Sequence, residues 1–118
     1  MSWMETPLLQ RMERFLDLAA LRQSLVSSNI ANVDTPGYRT RDIDFEKEMQ
    51  KAAAAPDATP HPVVREISGL VERPDQNNVS IDRESMLLAQ TQLQFQVGVA
   101  LLKQEFKRLV TAITEGKS

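Results

Sequence analysis

Residues 28–38 read Ser28-Asn29-Ile30-Ala31-Asn32-Val33-Asp34-Thr35-Pro36-Gly37-Tyr38, and they mark where a long helix stops and the chain turns. Thr35-Pro36-Gly37-Tyr38 has the form of a tight turn, with Pro36 presetting φ at the second position and Gly37 accepting a positive φ at the third. Asn29 and Asn32 stand one helical turn apart, which sets both amides near one side of the helix end. Asn32 tolerates the left-handed conformation or bonds the last free carbonyls. Asp34 and Thr35 lead into the turn.

Upstream of this stop, nothing between Leu8 and Asn32 is Gly or Pro. Thr6 is a good N-cap, and Pro7 at the first helical position gives up no needed hydrogen bond. At 100° per residue, Leu8, Met12, Phe15, Ala19, Val26, Ile30 and Val33 fall in one narrow sector. Arg22 and Asn29 fill two positions of that stripe with polar groups. A second, shorter ridge of Leu18, Leu21 and Leu25 lies well away from the first.

Downstream, 44–55 has the pattern of a short helix. Residues 56–79 contain Pro56, Pro60, Pro62 and Pro74 and one modest apolar patch from Val63 to Val71. They read as an extended arm with a short strand pair around Gly69. Such a stretch is uncommon inside a compact domain and fits better if neighbouring molecules order it. The last helix is expected from Ser80 to about Glu115, with Asp82 and Glu84 in its first turn, Lys103, Lys107 and Arg108 toward its end, and Gly116 as its stop. At 1.5 Å per residue it is a rod of roughly 50 Å. Leu88, Phe95, Val99, Leu102, Phe106, Leu109 and Ile113 mark a heptad seam broken by Gln92. Met86, Leu93, Val97 and Ala100 form another ridge on the opposite side.

The expected fold is all-α, with long N- and C-terminal helices paired as a coiled-coil hairpin and a short irregular or weakly β arm between them. Its parts are an N-terminal helix in 1–34, a turn and arm in 35–79, and a C-terminal helix in 80–118. Two ridges per helix are more than one partner helix covers. At about 25 cal/mol per Å² of apolar surface, hiding a handful of Leu-sized groups in neighbours is worth on the order of ten kcal/mol before ordering costs. The pattern predicts assembly.

Composition agrees. The chain has 118 residues, 42% hydrophobic but only 5% aromatic, which favours helices over a β-sandwich. Its four glycines leave no phosphate-cradling loop. The net charge of −2 comes from interspersed acids and bases, so no basic stripe suits nucleic acid. Cysteine is absent, which removes disulfides, thiolate metal sites and Cys nucleophiles. The opening Met1-Ser2-Trp3-Met4-Glu5 lacks the basic segment and apolar run of a secretory signal. No stretch reaches the ~20 apolar residues of a membrane helix.

A catalytic constellation is not visible. His61, between Pro60 and Pro62, has no ligand or orienting group at a useful spacing and reads as a solvated loop histidine. Asp42, Asp44, Glu46 and Glu48 alternate without the glycine and spacing of a calcium loop and read as a solvated acidic face. Ser27 and Ser28 lack a base. Trp3 reads as an interface aromatic, and Met4, Met12, Met49 and Met86 as gap-fillers. The expectation is no enzyme, no cofactor, no metal, no nucleic acid and no small-molecule substrate.

The string Asn29-Ile30-Ala31-Asn32 followed by Thr35-Pro36-Gly37-Tyr38 is more specific than a helix stop requires. It resembles the N-terminal signature of the axial rod and hook proteins of the bacterial flagellum. The continuation Arg39-Thr40-Arg41-Asp42-Ile43-Asp44-Phe45 is similar to that of the proximal-rod FlgB family. Asn77-Asn78-Val79-Ser80-Ile81-Asp82-Arg83-Glu84 resembles that family's entry to its C-terminal helix, Leu93-Gln94-Phe95-Gln96 its Leu-x-Tyr-Gln-like stretch, and the segment from Phe106 to Ile113 its ending. Ser80 stands where the family usually has Asp, a mild change since both cap helices. The middle is too short for the outer domains of hook and distal-rod relatives, and residues 50–76 are not informed.

The resemblance implies a structural rod subunit that crosses the periplasm in the basal body and transmits torque. It also implies export through the flagellar type III apparatus without a cleaved signal, and helical packing around the export channel. The implied partners are other copies, other rod subunits, and rod-base, ring or export-gate proteins. Leu18, Leu21, Leu25, Leu93 and Val97 are expected at contacts between subunits, and Phe95 and Phe106, on the helix seam, are expected in subunit packing as well. Asn29, Asn32 and the turn are expected to fix how the arm leaves the helix. Arg39 and Arg41 are expected to meet acids of a neighbour. One rival is another rod subunit of the same fold, marked by a Gly-rich insertion in the turn motif that this chain lacks. The other is a soluble helical chaperone or adaptor, which circular dichroism and sedimentation separate as a stable, monodisperse species.

Overall fold

Each helix begins at a side chain that caps it. Thr6 accepts from the Leu9 N–H at 3.2 Å, Asp44 from Lys47 at 3.1 Å and Ser80 from Arg83 at 3.2 Å, each satisfying a donor the helix start leaves free. In the computed structural model, which describes residues 6–116, these starts open α1 (Pro7–Ala31), α2 (Phe45–Ala54) and α3 (Ile81–Glu115), with β1 (Arg41–Asp42) and β2 (Arg65–Glu66) between them. Trp3 and Met4 lie outside the described residues. α1 stops at Asn32, whose side-chain amide donates to the Ser28 carbonyl at 2.8 Å. The following turn closes with Tyr38 N–H to the Thr35 carbonyl at 3.2 Å and Gly37 at φ +76°. A Cβ there would meet nothing within 4 Å, so the glycine answers a backbone demand and not a lack of space. Gly116 caps the end of α3, where the stop was expected, at φ −68° and so outside the left-handed region.

α1 and α3 form an antiparallel hairpin within a body of 70 × 25 × 17 Å. Two contacts fix its register. The backbone of Gly98 lies against Phe15 and Leu16, near enough that a Cβ would sit 2.7 Å from the Leu16 side chain. At the turn end Asn29 bonds Glu84. α2 lies across α1, with Phe45 meeting Phe15 edge-on at 5.4 Å and the Arg22 guanidinium 5.7 Å above the Phe45 ring.

The face of α3 turned inward is not the expected seam. Glu84, Leu87, Thr91, Gly98 and Glu105 are its buried residues, a face about 60° round the helix from the Leu88 to Ile113 stripe. The apolar ridges flank this face instead. Val99, Phe106 and Ile113 on one side, and Met86, Leu93, Val97 and Leu101 on the other, are exposed. A glycine, a threonine and two neutralised glutamates let the helices approach where larger apolar groups would hold them apart. Leu18 is a further correction, at 2% exposed. It lies between Phe15 and Arg22 on the α1 surface, both of which touch Phe45, so α2 covers it and no neighbour reaches it. Leu21 and Leu25 are half-buried.

The strand pair is also not where it was expected. β1 pairs antiparallel with β2, Arg41 opposite Glu66 and Asp42 opposite Arg65, while Gly69 is a turn residue at φ +84°. The arm therefore folds back on the segment after the 35–38 turn. Glu48, 5% exposed, holds it down from α2 by accepting the Val63 N–H at 3.2 Å.

Candidate functional site

The signature residues gather into a buried polar clasp at the closed end of the hairpin. Asn29 is fully buried. Its Nδ2 donates to the Arg41 carbonyl at 2.9 Å and to Glu84 Oε1, while its Oδ1 accepts from Arg41 N–H at 3.1 Å and Tyr38 O–H at 2.9 Å. One amide thus ties α1 to β1, to the turn and to α3. Two Arg–acid pairs surround it. Asp42, 2% exposed, takes Arg22 Nε at 3.1 Å and Arg83 at 2.7 Å, and Arg83 also meets Glu84 at 2.7 Å. Two carboxylates and two guanidiniums cancel in charge, the condition for burying them without a large desolvation penalty. The expected solvated acidic face is corrected accordingly: Asp42 and Glu48 are buried, Asp44 caps α2, and Glu46 alone of the four is exposed.

Asn77 and Asn78 close the other half of the clasp. Asn77 Nδ2 donates to the Asn32 and Thr35 carbonyls, both at 2.9 Å, and its Oδ1 accepts the Val79 N–H at 2.8 Å. Asn78 Oδ1 accepts Thr40 N–H at 2.7 Å, and its Nδ2 donates to Ile67 at 2.9 Å. Arg73 donates to Val33 and Val79 carbonyls. These side chains stand in for the strand partners that a two-residue sheet cannot supply. Asn29, Thr40, Asp42, Asn77, Asn78 and Glu84 are all buried here, so hydrogen bonds and not grease define this end.

Asn29, Tyr38 and the 35–37 turn are therefore brought together inside one chain. Ile30 and Asn32 sit half-buried and Ala31, Thr35 and Pro36 exposed. Arg39 pairs with Glu72 of its own chain at 3.1 Å, which replaces the expected pairing with a neighbour. Asp42, Glu84, Asn77, Asn78 and Arg22 were missed as a group. The available signal was the pair Arg22 and Asn29, seven apart in an otherwise apolar stripe.

Leu93 (59% exposed), Val97 (46%) and Phe106 (48%) stand in the open, and Phe95 is half-buried. Near the free end Glu105 faces inward, and a hydrogen bond from Arg108 at 2.5 Å holds its carboxyl below the usual glutamate range and raises Arg108 in turn. His61 is exposed. A cleft of about 820 Å³ beside the clasp is lined by Phe45, Arg65, Gln90 and Gln94 along with the clasp's own ions. No histidine or hydroxyl lines it, and of its carboxylates Asp42 is paired with Arg22 and Arg83, Asp44 lies 3.7 Å from Arg65, and Glu46 is exposed. Among the described residues no His, Asp and Glu cluster suits a metal, and no helix is long and apolar enough to cross a membrane.

Comparison with known proteins converges on the same segment. The family model for "Flagella basal body rod protein" matches residues 16–39, which run from the middle of α1 through the turn. The chain is similar over most of its length to proteins named flagellar basal body rod protein FlgB. Identity is 33% with that of Salmonella typhimurium, covering 86% of this chain and 88% of the relative. It is 31% with that of Borreliella burgdorferi, covering 81% and 87%. With that of Bacillus subtilis it is 27%, covering 92% and 95%.

Proposed function

The chain belongs to the FlgB family of flagellar basal-body rod proteins, and from that premise we propose how this architecture makes a proximal-rod subunit. It is a structural component of the basal body. The clasp shapes one end of the hairpin by hydrogen bonds, and much of the apolar ridges of α3 is left uncovered by the chain itself. Those ridges are the observation that carries the proposal. Leu93, Val97 and Phe106, with Phe95 beside them, pack against neighbouring subunits, and burial in a helical array supplies the stabilisation that a thin hairpin lacks. The turn residues Thr35 to Tyr38 set the direction in which the arm leaves. The division into an N-terminal helix (1–34), an arm (35–79) and a C-terminal helix (80–118) serves this use, two helices for the tube wall and an arm beside it.

The subunit assembles with other rod subunits and with the proteins at the rod base, passes torque along the packed helices, and reaches the rod by the flagellar export route without cleavage. Its work is mechanical, with no reaction and no cofactor. Deletion of the chain from its host tests the proposal. The expected result is loss of the rod and of swimming, with both restored by the chain supplied in trans. Intact rods in the deletion strain refute it.

A further inference from the structure

None of the residues 85–102 of α3 is charged, although most of that stretch faces solvent. Its outer ridge consists of Met86, Leu93, Val97 and Leu101, exposed by 62, 59, 46 and 47%. Charges return at the ends, with Asp82, Arg83 and Glu84 before it and Lys103 after it. The opposite edge of the hairpin has a face of matching character. α1 exposes Ala20, Ser24 and Ser27, and the only charged residue between Leu18 and Val33, Arg22, is held in the clasp.

The hairpin register sets the relative heights of ridge and face. With Gly98 against Phe15 and Leu16, and Glu84 bonded to Asn29, Leu93 stands level with Ala20 and Met86 level with Ser27. Lys103 lies within one turn of the height of Glu13. Both Glu13 and Lys103 are exposed, and neither has an ion-pair partner among the described residues.

We propose that the α3 ridge of one copy docks on the Ala20–Ser24–Ser27 face of a second copy that stands beside it at the same height and with the same polarity. At the levels of Leu93 and Met86 a long side chain then meets the short Ala20 and Ser27, as ridge-into-groove packing requires, while Val97 and Leu101 stand at the heights of Leu16 and Met12. Over the Ala20–Ser24–Ser27 stretch no charge is buried without a partner; Asp17, exposed, stands beyond it at the height of Val97, and Glu13 of one copy meets Lys103 of the other at the rim with opposite sign. Ridge against ridge would set long side chains against long ones and close as a two-fold pair. Ridge against face is a contact between different surfaces, so it repeats from copy to copy and builds a ring or an open helix. The inference rests on the rod-subunit proposal and adds the partner surface and register.

The cysteine-free chain permits a direct test. Ala20 and Leu93 face opposite edges of the hairpin, so Ala20→Cys and Leu93→Cys in one chain join only between copies. The variant replaces the natural chain in the host, and its basal bodies are oxidised and separated without reductant. The expected result is a ladder of linked copies from the double variant and none from either single variant. Rods that assemble without a ladder, or dimers from Leu93→Cys alone, overturn the register. Ser27→Cys with Met86→Cys gives a second pair. Should either pair block rod growth, the same separation of the purified chain at high concentration decides, ladder or none. Rods that form in the absence of the chain overturn the rod-subunit proposal itself, which is a distinguishable outcome.

Discussion

Asn29→Ala removes an amide that serves four groups at once. Tyr38 keeps its contact with Ser28, and Glu84 keeps Arg83. The Arg41 N–H and carbonyl lose the partner they have on the α1 side, at a position where Asn29 is fully buried. A buried group left without a partner costs about 1–3 kcal/mol, so two such groups cost roughly 3 kcal/mol together. Small domains are stable by only about 5–15 kcal/mol, so the loss is a large fraction of the total. Urea unfolding of the purified chain followed by circular dichroism reads it, as a lower midpoint at unchanged slope. Asn32→Ala is the control. Its amide donates to the Ser28 carbonyl and accepts from the Thr35 hydroxyl, both bonds exposed to solvent, and its loss costs about 1 kcal/mol. A loss below about 1 kcal/mol at Asn29, or an equal loss at Asn32, would refute the clasp as the organiser of this end.

Gly98 offers a second test. Gly98→Ala pushes a Cβ against the movable end of Leu16 and to 3.2 Å from the Phe15 ring while gaining about 1 kcal/mol of helix propensity, so it is close to neutral in the same urea assay. Gly98→Leu wedges the helices apart and costs about 2 kcal/mol or more; unchanged stability would contradict the close approach. Gly37→Ala meets no neighbour but forces an L-residue to φ +76°, and loses about 1 kcal/mol. A gain in stability there would rule out the turn geometry. Glu105 has its carboxyl held below the ordinary range by Arg108. Its stabilising share is present above the ordinary glutamate pKa and is lost as pH falls through the depressed one. Arg108→Gln should raise the Glu105 titration midpoint in an NMR titration, and an unmoved midpoint would deny the pair.

Where local chemistry decides, the sequence was sufficient. Thr6, Asp44 and Ser80 cap the helices they were expected to start, and Pro36-Gly37 makes the turn, because each acts on backbone groups within a few residues. The inward face of α3 was not legible. Periodicity assigns a buried face to the heaviest apolar stripe, and here the closest approach runs over Gly98, Thr91 and two glutamates whose charges are met by Arg83 and Arg108 of the same helix. Asp42 looked like a solvated acid because Arg22 and Arg83 reach it only after the chain folds back. Leu18 looked free because α2, which covers it, is placed by the Phe15–Phe45 contact. The strand pair near Gly69 failed for a related reason: Asn78 and Thr40 fix the arm across 38 positions, beyond the range of turn signals.

The most direct test is the image of basal bodies from a host whose chain carries Leu93→Glu and Val97→Glu. Both residues are exposed in the isolated hairpin and far from the clasp, so the purified variant should keep its helix content and unfold within about 0.5 kcal/mol of the natural chain. The account predicts basal bodies without a rod, since two charges then sit in the surface that neighbours must cover. Complete rods and normal swimming from that variant would contradict it.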